Sequence, residues 1–167
     1  KLEQIIDNRK LNEHFMELLN EERTRKGLTP ATIAADDSEL TRVANIRANE
    51  MADYGSLRYQ GKKEGKHKRP DGSRWSTAYD PEFYKQTNAM TENAAEATDV
   101  WDIVSLTNEK ALAHNFYTRW KHSKSHYAAM MMGDGYSPAN KNVQFRVALG
   151  FANHSLTSGK AINVVAM

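Results

Sequence analysis

The chain has 167 residues, with 23 Lys and Arg against 21 Asp and Glu for a formal net charge of +2, 40% hydrophobic residues and no cysteine. That length suits one domain with a real core, and the near-balanced charge gives no global field that would commit the protein to nucleic acid or to a membrane surface. The lack of cysteine excludes disulfides, zinc-thiolate sites and thiol nucleophiles, and no apolar run approaches the roughly 20 residues needed to cross a bilayer. No initiator Met or signal-like segment opens the chain at Lys1, so an upstream segment is expected to have been removed.

Residues 1–9 are expected to form an arm or linker remnant, and residues 10–167 the domain. From Lys10 to Lys26, Leu11, Phe15, Leu18 and Leu19 recur at helical spacing with charges on the other face, and Gly27 offers a stop. A second helix is expected after Asp36 and Glu39, an Asp-x-x-Glu capping pair, with Leu40, Val43, Ala44, Ala48 and Met51 on one stripe and Gly55 at its end. Leu57 to Met90 is rich in Lys, Gly, Pro, Asp and Ser and predicts long loops with short strands. Its densest basic part, Arg58 to Arg74, is a solvated loop or a contact surface for an anionic partner.

Helical spacing returns from about Thr107 to Trp120, with Leu112, Phe116 and Trp120 on one stripe, and Ser125 can cap a short helix ending before Gly133. Val143, Phe145, Val147, Leu149 and Phe151 then alternate with Gln144, Arg146, Ala148 and Gly150, which predicts a strand with one buried face. Ile162, Val164 and Ala166 repeat the pattern, so a hairpin is expected across Asn153 to Lys160. Helices followed by paired strands predict an α+β domain.

Three short segments combine titratable groups with turn or aromatic residues: His67 to Gly72, Thr91-Glu92-Asn93, and Trp120 to His126. In the first, Pro70-Asp71-Gly72 is a turn signature that would fix the direction of His67. In the last, Ser123 and His126 lie three apart and could share a helix face, or Ser123 could simply be a cap.

These segments, together with Leu19-Asn20-Glu21-Glu22-Arg23 before Gly27, Leu40 to Glu50, and the strand containing Gly150, resemble in order and spacing the bacterial CAP domain of the SCP-like superfamily. The resemblance runs from Leu11 to the C-terminus. It implies a three-layer α-β-α sandwich with a central, mostly antiparallel sheet, secreted or associated with the cell wall. It also implies a polar cleft at His67, Glu92, Asn93, Ser123 and His126. Ser123 stands where many eukaryotic relatives have a second Glu.

Two imidazoles and one carboxylate, if they converge, supply nitrogen and oxygen ligands for a divalent ion such as Zn²⁺, here His67 and His126 with Glu92, and leave a position for water. Alternatively the carboxylate orients one ring and the pocket holds no metal. The first functional expectation is a secreted binding module for a small ligand, a peptide or a cell-envelope component. The alternatives are a hydrolase, metal-dependent or using Ser123 with His126 and Glu92, and a lipid- or sterol-binding protein.

Overall fold

The computed structural model describes residues 6–35, 38–54, 65, 67–87, 90–96, 108–132, 145–153 and 160–166. Helix α1, Asn8–Arg25, starts two residues earlier than the periodicity predicts, because the Asp7 side chain accepts from the Lys10 backbone N–H. Its stripe of Leu11, Phe15 and Leu19 is fully buried. The helix ends at Gly27 with φ 73°, where the Leu28 and Gly27 N–H groups bond back to the Arg23 and Thr24 carbonyls in a Schellman motif. Strand β1, Thr32–Ile33, and helix α2, Glu39–Tyr54, follow. Ser38 caps α2 by accepting from the Thr41 N–H, and the expected Asp36 cap and Gly55 stop lie outside the described residues.

A 3₁₀ turn, Trp75–Ala78, and a short helix α3, Pro81–Lys85, come next. Asp80 caps α3 and Pro81 holds its first position, where a missing N–H costs nothing. After β2, Thr91–Glu96, Asn108 caps α4, Glu109–Lys121, by accepting from Ala111 N–H. Ser123, not Ser125, occupies the N-cap position of α5, Lys124–Met130. The buried Arg23 reaches from α1 to the end of α5, donating to the Met130 and Met132 carbonyls and to Thr29 O while its guanidinium lies 4.2 Å from the Phe145 ring centre. A cation at a helix C-terminus satisfies carbonyls that have no partner within the helix.

Strands β3, Arg146–Asn153, and β4, Lys160–Ala166, pair antiparallel, and β4 also pairs antiparallel with β2, giving the strand order β1-β3-β4-β2. The remaining pair, β1 with β3, is parallel. Only the ends of the expected connection lie within the described residues, as does only the later part of the strand predicted from Val143.

The expected three-layer sandwich about a central, mostly antiparallel sheet is corrected by this arrangement. The described chain is helix-rich: α-helices of 18, 16, 13, 7 and 5 residues outweigh strands of 2, 6, 8 and 7. The sheet is small and mixed, with a two-residue parallel strand at one edge. Within Leu57 to Met90, where loops and short strands are expected, the described residues give a 3₁₀ turn and α3, because Asp80-Pro81 starts a helix.

The expected single buried face of β3 is also corrected. Val147, Leu149 and Phe151 join the larger core with Leu11, Phe15, Leu112, Phe116 and Trp120, while Ala148 and Ala152, on the other face, are buried in clusters with α2 residues. At Ala148, Gly150 and Ala152 the alternate positions are small rather than polar, and only Arg146, at the start of the strand, is exposed among them. A Cβ on Gly150 would overlap the Ala44 backbone carbonyl, so the missing side chain lets α2 lie directly on the strand.

Candidate functional site

The polar centre forms where a side chain of α2, which packs on β3 and β4, reaches an acid of β2. Neighbouring strand residues point to opposite faces, so Glu92 and Asn93 face away from each other. Glu92 turns to α2 and meets Arg47. The Arg47 Nε donates to Glu92 Oε2 at 2.9 Å and a terminal nitrogen donates to Oε1 at 3.2 Å, with both side chains fully buried. The other terminal nitrogen of Arg47 donates to Glu50 Oε2 at 2.5 Å and to the Lys68 carbonyl at 3.3 Å. Arg69 closes the chain by donating to Glu50 Oε1 from two nitrogens, at 2.9 and 2.8 Å. His67 Nδ1 lies 2.7 Å from Glu92 Oε1. Arg69, Glu50, Arg47, Glu92 and His67 thus form one connected run of alternating cationic and acidic groups ending in an imidazole.

Burial opposes the charge on Glu92, but the hydrogen bonds from His67 and Arg47 outweigh it and hold the carboxyl below the usual range. Burial likewise opposes the charge on Arg47, and Glu92 and Glu50 more than compensate. A buried pair of this kind stands only when its remaining polar atoms are also bonded, as they are here through Glu50, Lys68 and His67.

The predicted turn before the 3₁₀ segment aims His67. Arg69 N–H bonds Ser73 O, Gly72 N–H bonds Arg69 O at φ 81°, and Asp71 accepts from both the backbone and the hydroxyl of Ser73. His67 itself sits at φ 58°, a left-handed conformation that costs a non-glycine residue about 1 to 3 kcal/mol and is commonest at functional sites. Its side chain is 26% exposed, so the ring faces solvent past Glu92. The Trp75 N–H bonds to His67 O and joins this turn to an aromatic group in which the buried Tyr79 packs against Trp75, Phe83 and Tyr84. Burial first, and then Glu92, raises the pKa of Tyr79, whose hydroxyl has no hydrogen-bond partner among the described residues.

Asn93 and Ser123 make their hydrogen bonds outside the Arg47 run. Asn93, on the opposite face of β2 from Glu92, donates to the backbone carbonyl of His126 at 3.1 Å. Ser123 meets Ser125 at 3.5 Å through its hydroxyl, the one side-chain bond of Ser123 among the described residues, so no Ser-His pair is made there. Of the basic stretch, Arg58, Lys62, Lys63 and Lys66 lie outside the described residues, Arg69 is bound to Glu50, and Arg74 precedes the 3₁₀ turn. A separate hollow of about 310 Å³, lined by Asn8, Asn12, Glu13, Ile33 and Ala34 among others, shares no residue with the Arg47 run.

The fold compares closely with solved structures. An outer surface protein from Borrelia burgdorferi matches 96% of this chain and 94% of its own, with a TM-score of 0.62 and 15% sequence identity. An extracellular protein containing an SCP domain from Bacillus anthracis strain Ames matches 95% of this chain over 41% of its own length, with a TM-score of 0.54 and 16% identity. The chain has an SCP-like fold. No protein-family model matches the sequence, and no curated protein matches it in sequence.

In this SCP-like domain the donor set does not fit a divalent ion. Both oxygens of Glu92 are bound by a guanidinium, one of them also contacts His67 Nδ1, and among the described residues no three His, Cys, Asp or Glu side chains converge as ligands. Zinc needs such groups at about 2.0 to 2.2 Å, with the carboxylate free to turn to it.

Sequence reasoning missed Arg47. The signal was present: residue 47 falls on the stripe of Leu40, Val43, Ala44 and Met51, and a cation there requires a buried acid.

Proposed function

We propose that the chain is an extracellular or cell-surface SCP-like domain that works by binding rather than by cleaving a substrate. The observation carrying this reading is the state of Glu92, the acid on which a hydrolytic mechanism would depend: its carboxylate is buried, ionised and saturated by Arg47 and His67. A general base must reach a proton on substrate or water, and this one is turned inward. The Ser123 hydroxyl lacks a basic partner among the described residues. The two solved neighbours, an outer surface protein and an extracellular protein, support the location.

The surface offered to a partner is the solvent side of His67 with the adjoining rings of Trp75, Phe83 and Tyr84, of which Tyr84 is 40% exposed. A peptide or a cell-envelope glycan could stack on such rings and bond to the imidazole. Incubation with a defined peptide library, read by mass spectrometry, checks the non-catalytic reading. No product above a protein-free control is expected, and cleavage that Glu92→Gln abolishes would overturn it. Protease treatment of intact source cells, or fractionation of the medium, tests the location.

A further inference from the structure

We infer that the hollow beside β1 is a binding site for a primary carboxamide, held at two points by the backbone of Ile33. The Thr32 and Ala34 N–H groups both bond to β3, at the Phe145 and Val147 carbonyls, so the N–H and C=O of Ile33 between them point away from the sheet. The fold itself closes the groups on either side. Asn20 of α1 accepts from the Ala31 N–H at 2.7 Å and donates to the Ala31 carbonyl at 2.9 Å, while the Ala35 carbonyl accepts from the Ser38 N–H and the Thr41 hydroxyl. Asn12 closes Leu149 of β3 in the same two-point way. Among the described residues nothing bonds to the outward N–H or C=O of Ile33. Ile33 also lines the hollow of about 310 Å³, a volume at the lower end for ligand pockets, and Ala34 and Ala35 continue its apolar wall.

The ligand class follows from the pairs already closed. A primary carboxamide carries an N–H and a C=O along one edge, so it meets both backbone groups of a single residue, as Asn20 does at Ala31 and Asn12 at Leu149. In a trans secondary amide the two groups point opposite ways and only one can be used. With Ala31 and the Ala35 carbonyl occupied, one such pair fits beside β1 and a long added strand does not. Arg9 and Glu13 on the lining bond each other at 3.3 Å, so the wall brings one charge of each sign and suits a ligand without net charge. The hollow shares no residue with the His67 surface, so this inference and the binding proposal stand or fall separately.

The test is amide-resolved NMR of wild type, Ile33→Pro and Ala35→Phe, titrated with isobutyramide, with N-acetylasparagine methylamide and with N,N-dimethylisobutyramide. In the free wild type the Ile33 N–H should exchange with solvent faster than those of Ala31, Thr32 and Ala34. It should shift saturably with the first two compounds, reaching saturation by about 100 mM, and not with the dimethyl compound. Tighter binding of the asparagine derivative assigns the carboxamide to a polypeptide side chain, and equal binding assigns it to a small amide. Ile33→Pro removes an N–H that the fold does not use, so melting should hardly move while affinity falls about tenfold, read from the Ala35 resonance. Ala35→Phe fills the hollow from its exposed wall and should abolish binding, and it decides the point alone should the proline variant fail to fold. An Ile33 N–H protected as well as that of Ala31, no saturable shift in wild type, an equal response to the dimethyl compound, or unchanged affinity in folded Ala35→Phe would each overturn the inference.

Discussion

Asn12 shows how much of this fold rests on single polar side chains. Buried in α1, it donates to the Leu149 carbonyl at 2.9 Å and accepts from the Leu149 N–H at 2.8 Å, so it pairs both backbone groups at a point of β3 where α1 crosses the strand. Asn12→Ala leaves both groups buried and unpaired, and a loss of about 2 kcal/mol or more is expected in urea titration. Asn12→Asp keeps only the acceptor and should fall between. Gly150 acts through the absence of a side chain. Gly150→Ala forces the Ala44 carbonyl aside, with an expected cost of about 3 kcal/mol in the same titration.

At the scale of elements, Glu22 ties three helices together. From α1 it binds Arg25, accepts from the Tyr127 hydroxyl of α5 at 2.6 Å, and lies 3.6 Å from Lys121 of α4. The hydrogen bonds from Arg25 and Tyr127 lower its pKa to about 2. A depressed carboxylate stabilises the fold above its unfolded value, about 4.3, and that contribution is lost as the pH falls toward 2. Wild-type stability should therefore drop between about pH 4.5 and pH 2, and Glu22→Gln should flatten that part of the profile, with urea midpoints at stepped pH as the measurement. Glu92, held below its usual range, adds to the same slope, so the profile flattens in Glu22→Gln without becoming level.

The elements also show what the sequence made legible. Helices α1, α2 and α4 and the alternation of β3 were visible because their apolar residues repeat at the period of the structure they form. Strand β2 was not. Its Thr-Glu-Asn-Ala-Ala-Glu run has low strand propensity, and pairing with β4 and packing against helices hold it in place. Of the expected site, the closeness of His67 and Glu92 came from the family resemblance rather than from spacing. That Asn93 should reach His126 only through a backbone carbonyl depends on the pleat of β2, which the motif alone does not convey.

For the whole molecule, the core is uneven. The larger cluster joins α1, α4 and one side of β3, and smaller ones rich in alanine join α2 to the other side. Phe116→Ala should cost about 3 to 5 kcal/mol and Leu40→Ala about 2 to 5 kcal/mol, each within a single unfolding transition by circular dichroism and tryptophan fluorescence. Two separated transitions in Leu40→Ala would show that α2 can detach while the rest stays folded.

The bare position on β3 has a consequence at a distance. Ala44 and Arg47 are three residues apart, less than one helical turn, so the spot where the helix touches bottom also fixes how deep its arginine plunges. Any bulk placed at Gly150 acts as a shim, lifting the guanidinium off its acid without altering a single charged residue.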